Sequence, residues 1–355
     1  MPKLPLPRTN AYSELSSLQY DLDSILEHLH VDRITQNLLR SSKSIILVGT
    51  GDSYSACLAS QSYFEEQNKQ CLIYFPSQLL SARILSTFSK DSLFIYISSS
   101  GNTPEILDSI LSVRDYCCNC FLVCFSADGK AEHLVSSKLI YLLKNKLESP
   151  SIRTWVITNI ILRYISLVAD PLLSTKKIYE LIKIFLYQTA ASIQVMNESD
   201  PIRIQTLKLI DQYDSITLLG SGENYGVARY AGSKIVECTG FLPYIADLYE
   251  WRHTEYHQYP RSQYIICFAR NSIDKERIIS TAQLTSNSLN HFLILTPGHE
   301  TALCKHNEDV TEICYYIHPS TSITLIFSLW SILLALKLSE YYQTDLFPGR
   351  INNHE

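Results

Sequence analysis

The chain reads as an α/β protein made of two similar halves, each built on a mainly parallel sheet. Three observations predict this. Short, continuously apolar runs recur along the chain with helix-like stretches between them, and strands that are apolar on both faces belong to parallel sheets covered by helices. A strand, glycine turn and helix occur twice, as "IILVGTGDSYSACLASQSYFE" and "ITLLGSGENYGVARYAGSKIVE", so the repeat has the length of a whole domain. Finally, 355 residues at 46% apolar and 18% charged suffice for two ordinary cores.

The elements follow in order. Leu15, Leu18, Leu22, Ile25, Leu26 and Leu29 have helical spacing, which predicts an N-terminal helical segment over 1–40. A first α/β domain spans 41–170. Its strands are "SIILVG" (44–49), "CLIYFP" (71–76), "SLFIYIS" (92–98), "FLVCFS" (121–126) and "KLIYLL" (138–143). A helix is expected from about Ser55 to Glu66, after the polar turn "GTGDSY", and a closing helix over 152–169. Residues 171–210 read as a helical connection. A second domain spans 211–345, with "SITLLG" (215–220), a helix from about Val227 to Cys238, and strands in "LPYIAD", "YIICFAR", "HFLILT" and "EICYYI". Residues 346–355 form a tail.

Composition excludes several classes of function. A net charge of −5 offers no basic stripe for nucleic acid. The opening "MPKLPLPRTN" lacks the apolar run and cleavage site of a signal peptide. "SITLIFSLWSILLALKL" (322–338) is interrupted by serines, Thr324 and Lys337, and reads as a buried helix rather than a membrane span. A cytoplasmic protein is expected. The ten cysteines are scattered. Cys117 and Cys120 form one Cys-x-x-Cys pair with no second pair to complete a zinc site, so no metal or cofactor is expected.

The stretch "ISSSGNTPEIL" (97–107) places three serines and a glycine where a buried strand ends and a helix begins. Ligands of open parallel sheets bind outside the strands' C-terminal ends, and free N–H groups at a helix start favour an anion. Ser98, Ser99, Ser100 and Thr103 add hydroxyl donors, and Gly101 permits close backbone approach. With no Lys or Arg in the loop, a phosphate monoester on a small metabolite is the ligand class that fits. A serine that only caps the helix is the plain alternative. If the first and third strands are neighbours, Ser53 of "GTGDSY" faces the same place.

These residues resemble the sugar isomerase (SIS) domain family, and in particular the isomerase half of glucosamine-6-phosphate synthases and the phosphosugar deglycases. The resemblance implies two tandem SIS domains, each a three-layer α/β/α sandwich of Rossmann-like, flavodoxin type, and it covers the chain from about residue 30. It implies Ser53, Ser98, Ser99, Ser100 and Thr103 as phosphate ligands, with Ser99 in a place where the synthases have glutamine. "SKIVE" resembles the family's Lys-Leu-Lys-Glu helix end, which makes Glu237 the implied base for proton transfer between C1 and C2. "YEWRH" puts His253 in the place of the ring-opening histidine, with Glu250 as the matching acid. Read without the resemblance, Glu237 pairs with Lys234 along its helix and His253 is a surface residue.

This chain also departs from the pattern. Residue 2 is Pro, and the chain is expected to lack the synthases' glutaminase domain with its catalytic cysteine. The tail "PGRINNHE" aligns Arg350 but puts His354 where the synthases have a lysine. Asp52, Glu250, Arg350 and His354 are candidates for further substrate contacts. "HTEYH" sets His253 and His257 four apart, but it lacks the Glu of a His-Glu-x-x-His metal motif. The expected function is isomerisation of an amino-sugar or sugar 6-phosphate by enediol proton transfer. The alternatives are a deglycase or deaminase of a phosphorylated ketosamine, and a non-catalytic sugar-phosphate-binding regulator. The resemblance further implies a homodimer with the active site at the subunit interface, a phosphosugar as the small-molecule partner, and no nucleic acid or membrane.

Overall fold

The computed structural model describes residues 7–116, 119–199, 202–254, 262–285, 290–298, 309–315 and 322–349. Two helices come first, α1 (Arg8–Ser24) and α2 (Arg33–Ser41). Asp32 starts α2 by accepting the Thr35 N–H at 2.7 Å, the usual work of an N-cap aspartate. The chain then alternates through β1 (Ser44–Val48), α3 (Gly51–Ala59), α4 (Gln61–Glu65), β2 (Gln70–Tyr74), α5 (Ala82–Leu85), β3 (Leu93–Ser98), α6 (Pro104–Tyr116), β4 (Cys120–Cys124), β5 (Ser137–Ile140) and α7 (Ile152–Ala169).

The five strands form one sheet in the order β2-β1-β3-β4-β5, and every neighbouring pair is parallel. This is the flavodoxin-type order, with the switch point between β1 and β3. Every residue of β3 and of β4 is buried, as continuous apolar runs require. Ile46, Val48, Phe94, Tyr96 and Leu122 pack with Ile106, Ile110 and Val113 of α6. Burying each such side chain contributes roughly 1.5–3 kcal/mol before entropy is charged against it.

Two more helices, α8 (Thr175–Ser199) and α9 (Ile204–Ile210), precede the second sheet. It contains β6 (Ser215–Gly220), α10 (Glu223–Thr239), β7 (Tyr244–Asp247), α11 (Leu248–Trp251), β8 (Gln263–Phe268), α12 (Ser272–Leu284), β9 (His291–Pro297), β10 (Val310–Tyr315) and α13 (Ile323–Tyr341). Its strand order is β10-β9-β8-β6-β7, again wholly parallel and again with the switch point beside the first strand of the set.

The chain divides into two compact units. The β1–β5 unit comprises Glu14–Lys146 and Ser151–Tyr187. The β6–β10 unit comprises the described chain up to Ser13, the stretch Leu147–Pro150, and the described chain from Gln188 onward. α7 and α13 are each long and apolar enough to cross a membrane, but 94% and 78% of their apolar windows are buried inside the protein.

The helix expected from Ser55 starts four residues earlier, at Gly51, and breaks at Ser60 before α4. Gly49 is the reason for the early start. A Cβ there would lie 2.8 Å from the Ser53 carbonyl carbon and 2.8 Å from the Tyr54 amide nitrogen, so only glycine lets the strand end run directly under the first helical turn. The repeated motif repeats the device: a Cβ on Gly220 would lie 2.1 Å from the Asn224 carbonyl oxygen. Two strands are shorter than their apolar runs suggest. β2 stops at Tyr74 because Pro76 opens a 3-10 turn over Pro76–Leu80, and β7 begins only after Pro243, which has no N–H to give to a ladder.

Candidate functional site

A cavity of about 220 Å³ lies in the β1–β5 unit where β1 and β3 end, at the switch point of the sheet. The sequence-predicted residues Asp52, Ser53, Ser98, Ser99, Ser100 and Thr103 all line it. Thr50 joins them from the first loop, and Ser151, Thr154, Trp155 and Thr158 join from the start of α7. Sequence reasoning missed that third wall. Its signal was hydroxyls at 151, 154 and 158, one helical face, inside an otherwise apolar run.

Three helices begin at this cavity. Thr50 is the N-cap of α3 and Ser151 the N-cap of α7, and neither side chain makes a capping bond. Thr103 directly precedes α6, its carbonyl accepting the N–H groups of Ile106 at 3.0 Å and Leu107 at 3.1 Å. Each helix start carries roughly half a positive charge and unpaired N–H groups. Among the described lining residues there is no Lys, Arg or His, and Asp52 is the one charged side chain. Helix ends and hydroxyls, rather than ammonium or guanidinium groups, therefore make this cavity attractive to an anion.

The serine loop is held from within and from behind. Ser98 Oγ accepts the Gly101 N–H at 3.1 Å, and Ser100 Oγ accepts the Asn102 N–H at 3.1 Å. As acceptors in these bonds, both hydroxyls keep their own proton to donate. Behind the loop, Phe125 N–H donates to the Ser99 carbonyl at 3.2 Å and Ala131 N–H to the Gly101 carbonyl at 2.9 Å. Gly101, at φ +66, would with a Cβ come within 3.1 Å of the Gly129 Cα. The chain behind the loop thus itself requires a glycine here.

Glu237 lies near the C-terminal end of α10, in the β6–β10 unit. Its Oε2 accepts from Lys234 Nζ at 2.7 Å, and the Lys234 side chain is wholly buried while that of Glu237 is 26% exposed. The along-helix pair that the plain reading expected is present. Lys234 also lies 5.1 Å from the Tyr230 ring centroid. Burial, aided by Glu237 and opposed by Lys234, pushes the neighbouring Cys238 thiol up to about 12. The chain returns to this helix end. Phe347 N–H donates to the Glu237 carbonyl, and Thr344 Oγ1 donates to the Cys238 carbonyl at 2.8 Å.

His253 is exposed, in the turn after α11, with its N–H donating to the Glu250 carbonyl at 2.8 Å. Glu250 is exposed, and its N–H donates to Asp247 Oδ1 at 3.2 Å. Arg350, His354, Glu255, His257 and Cys117 lie outside the described residues. Cys120 is buried in β4.

The equivalent place in the β6–β10 unit, at the ends of β6 and β8, is furnished differently. Arg270 donates to Asp274 through Nε at 2.8 Å and Nη2 at 3.1 Å, and Tyr249 OH donates to the same carboxylate at 2.7 Å. Burial alone would raise the Asp274 carboxyl, but the bonds from Arg270 and Tyr249 outweigh it and hold the group below its ordinary range. A Cβ on Gly222 would lie 2.7 Å from Arg270 Nη1, so the guanidinium fills the space beside the start of α10.

Residues 38–131 match the family model of the SIS domain, the stretch that holds both cavity-lining loops. A search of curated protein sequences finds no match. Among solved structures, the chain is similar to the C-terminal domain of glucosamine-fructose-6-phosphate aminotransferase from Francisella tularensis. That likeness has a TM-score of 0.79 at 16% identity, covering 95% of this chain and 98% of that one. It is also similar to tagatose-6-phosphate ketose/aldose isomerase from Escherichia coli, with TM-score 0.69 at 14% identity over 97% of this chain and 94% of the other. A third is glucosamine-6-phosphate deaminase from Thermotoga maritima, with TM-score 0.65 at 14% identity and 98% of both chains covered. At these identities the likeness is one of fold.

Proposed function

We propose that the chain is a tandem SIS protein that binds a sugar 6-phosphate in the β1–β5 cavity and interconverts its aldose and ketose forms. One observation carries the reading. Three helix starts and a ring of hydroxyls surround a cavity without a cationic side chain among its described lining residues. Such a site suits a phosphate monoester, whose oxygens accept many bonds at once. The cavity is larger than a lone tetrahedral anion fills, which leaves room for the carbons the phosphate is attached to.

In this reading Glu237 carries the chemistry, as the family resemblance implies. Its carboxylate takes the proton from the carbon next to the carbonyl to give an enediolate and returns it one carbon along, while the hydroxyl proton passes from that carbon's oxygen to the former carbonyl oxygen. His253 moves the proton that opens the sugar ring. Asp52, which lines the cavity, accepts from a sugar hydroxyl in the same reading. A homodimer, with His253 serving the partner's site, belongs to the same proposal.

The test is calorimetric titration with fructose, glucose and glucosamine 6-phosphates, beside the same sugars without phosphate. Binding is expected only for the phosphorylated members. Replacing both Ser98 and Ser100 with Ala should weaken it at least tenfold, since each donates a charge-assisted bond worth roughly 1.5–3 kcal/mol. Unchanged affinity in the double variant refutes the cavity as the phosphate site. Assays of aldose–ketose exchange and of amine release on the same panel then separate isomerase from deaminase.

A further inference from the structure

The α7 wall of the cavity contains a hydroxyl that the phosphate reading leaves unused. Ser151, Thr154, Trp155 and Thr158 line the cavity at the 3-and-4 spacing of one helical face. Thr158 has settled its hydroxyl on the Thr154 carbonyl at 2.6 Å. Thr154 has not: it is 7% exposed, and its Oγ1 is buried with no hydrogen-bond partner among the described residues. A buried hydroxyl left unpaired destabilises a fold, so one at a cavity wall calls for a partner that the cavity can supply.

The turn that bears Thr154 is not free to shift and find a partner. Arg153, the residue before it, is 1% exposed and faces away from this stripe. It donates to Asp21 through Nε at 2.6 Å and Nη2 at 2.8 Å, to Glu14 through Nη1 at 3.2 Å, and to the Lys144 carbonyl at 2.8 Å. That set of bonds ties the first turn of α7 to α1 and to the chain before it. Thr154 is therefore a fixed, dry hydroxyl on a wall separate from the serine loop.

We propose that Thr154 is the residue through which the cavity reads the sugar portion of its ligand, by exchanging a hydrogen bond with a sugar hydroxyl. The proposal rests on the sugar-phosphate reading of this cavity. It makes the α7 wall a determinant of which phosphate ester is held, while the serine loop holds the phosphate common to all of them.

The test uses the full chain, with Thr154→Val, Thr154→Ser and wild type titrated with fructose, glucose and glucosamine 6-phosphates and, separately, with inorganic phosphate. Thr154→Val keeps the shape and removes the unpaired group, so its melting temperature should equal or exceed that of wild type; Thr154→Ala serves the same arm if the valine variant is insoluble. Its affinity for the best-bound hexose 6-phosphate should fall about tenfold, the worth of one neutral hydrogen bond. Its affinity for inorganic phosphate should not change, and Thr154→Ser should restore the sugar-phosphate affinity. Wild-type sugar-phosphate affinity in Thr154→Val overturns the proposal and leaves the phosphate site standing. Equal losses for sugar phosphate and phosphate overturn it too, by assigning the hydroxyl to the phosphate. A wild-type chain that binds none of the four ligands overturns the underlying reading and this proposal with it.

Discussion

At the scale of single residues, Glu237 separates a structural role from a chemical one. Its carboxylate is the partner of a lysine with no exposed side-chain surface, and a buried ammonium without a partner is costly. A glutamate here would be retained for stability alone, even without a reaction to perform. Glu237→Gln distinguishes the two roles, because the amide oxygen still accepts from Lys234 while the basicity is gone. The variant should fold, with a modest drop in melting temperature, and should bind sugar phosphate like wild type. Turnover should fall by a factor of about 10²–10⁴, the usual worth of a positioned base. The direct readout is exchange of the substrate's C1 or C2 proton with deuterated solvent. Exchange at the wild-type rate in the glutamine variant assigns the proton transfer to another residue and leaves Glu237 with the structural role only.

At the scale of elements, the repeated Gly-x-Gly is a packing device before it is a binding device. Gly49 lets β1 end directly beneath the first turn of α3, the turn that carries Asp52 and Ser53 to the cavity. Gly49→Ala would press a methyl on two backbone atoms at 2.8 Å, neither of which can rotate away. The helix start has to move. We expect a loss of about 1–3 kcal/mol by urea unfolding, with sugar-phosphate affinity falling in the same variant. Gly349→Ala, where a Cβ meets nothing within 4 Å, is the control and should change neither. Both sheets were legible as runs of apolar residues, because a strand buried on two faces has few other ways to be written. The start of α3 was not, because Gly51 and Asp52 are poor helix formers and the constraint that places them is a tertiary contact. The α7 wall was hidden for a related reason. Its polar face is three hydroxyls at positions 151, 154 and 158, too small to interrupt an apolar helix, and only the fold shows which way that face looks.

At the scale of the whole molecule, the two sheets share a strand order but carry different groups at their switch points. The ends of β1 and β3 hold a cavity lined by hydroxyls, and the residues beyond β6 and β8 include an arginine locked to a buried aspartate. The proposed assembly rests on the family resemblance at His253, which is exposed on its own chain. Subunit mixing tests this. A Glu237→Gln chain and a His253→Ala chain should each be inactive as homodimers. If each site takes its Glu and its His from different chains, a mixed dimer contains one site lacking both groups and one site complete. Random exchange makes half of all dimers mixed, so activity should recover to about one quarter of the wild-type value per chain, as a two-fold interface requires. Mass-resolved detection of the mixed dimer establishes that exchange has occurred. Mixed dimers without activity would place both groups in the same chain's site, and a chain that stays monomeric during turnover would remove the shared site altogether.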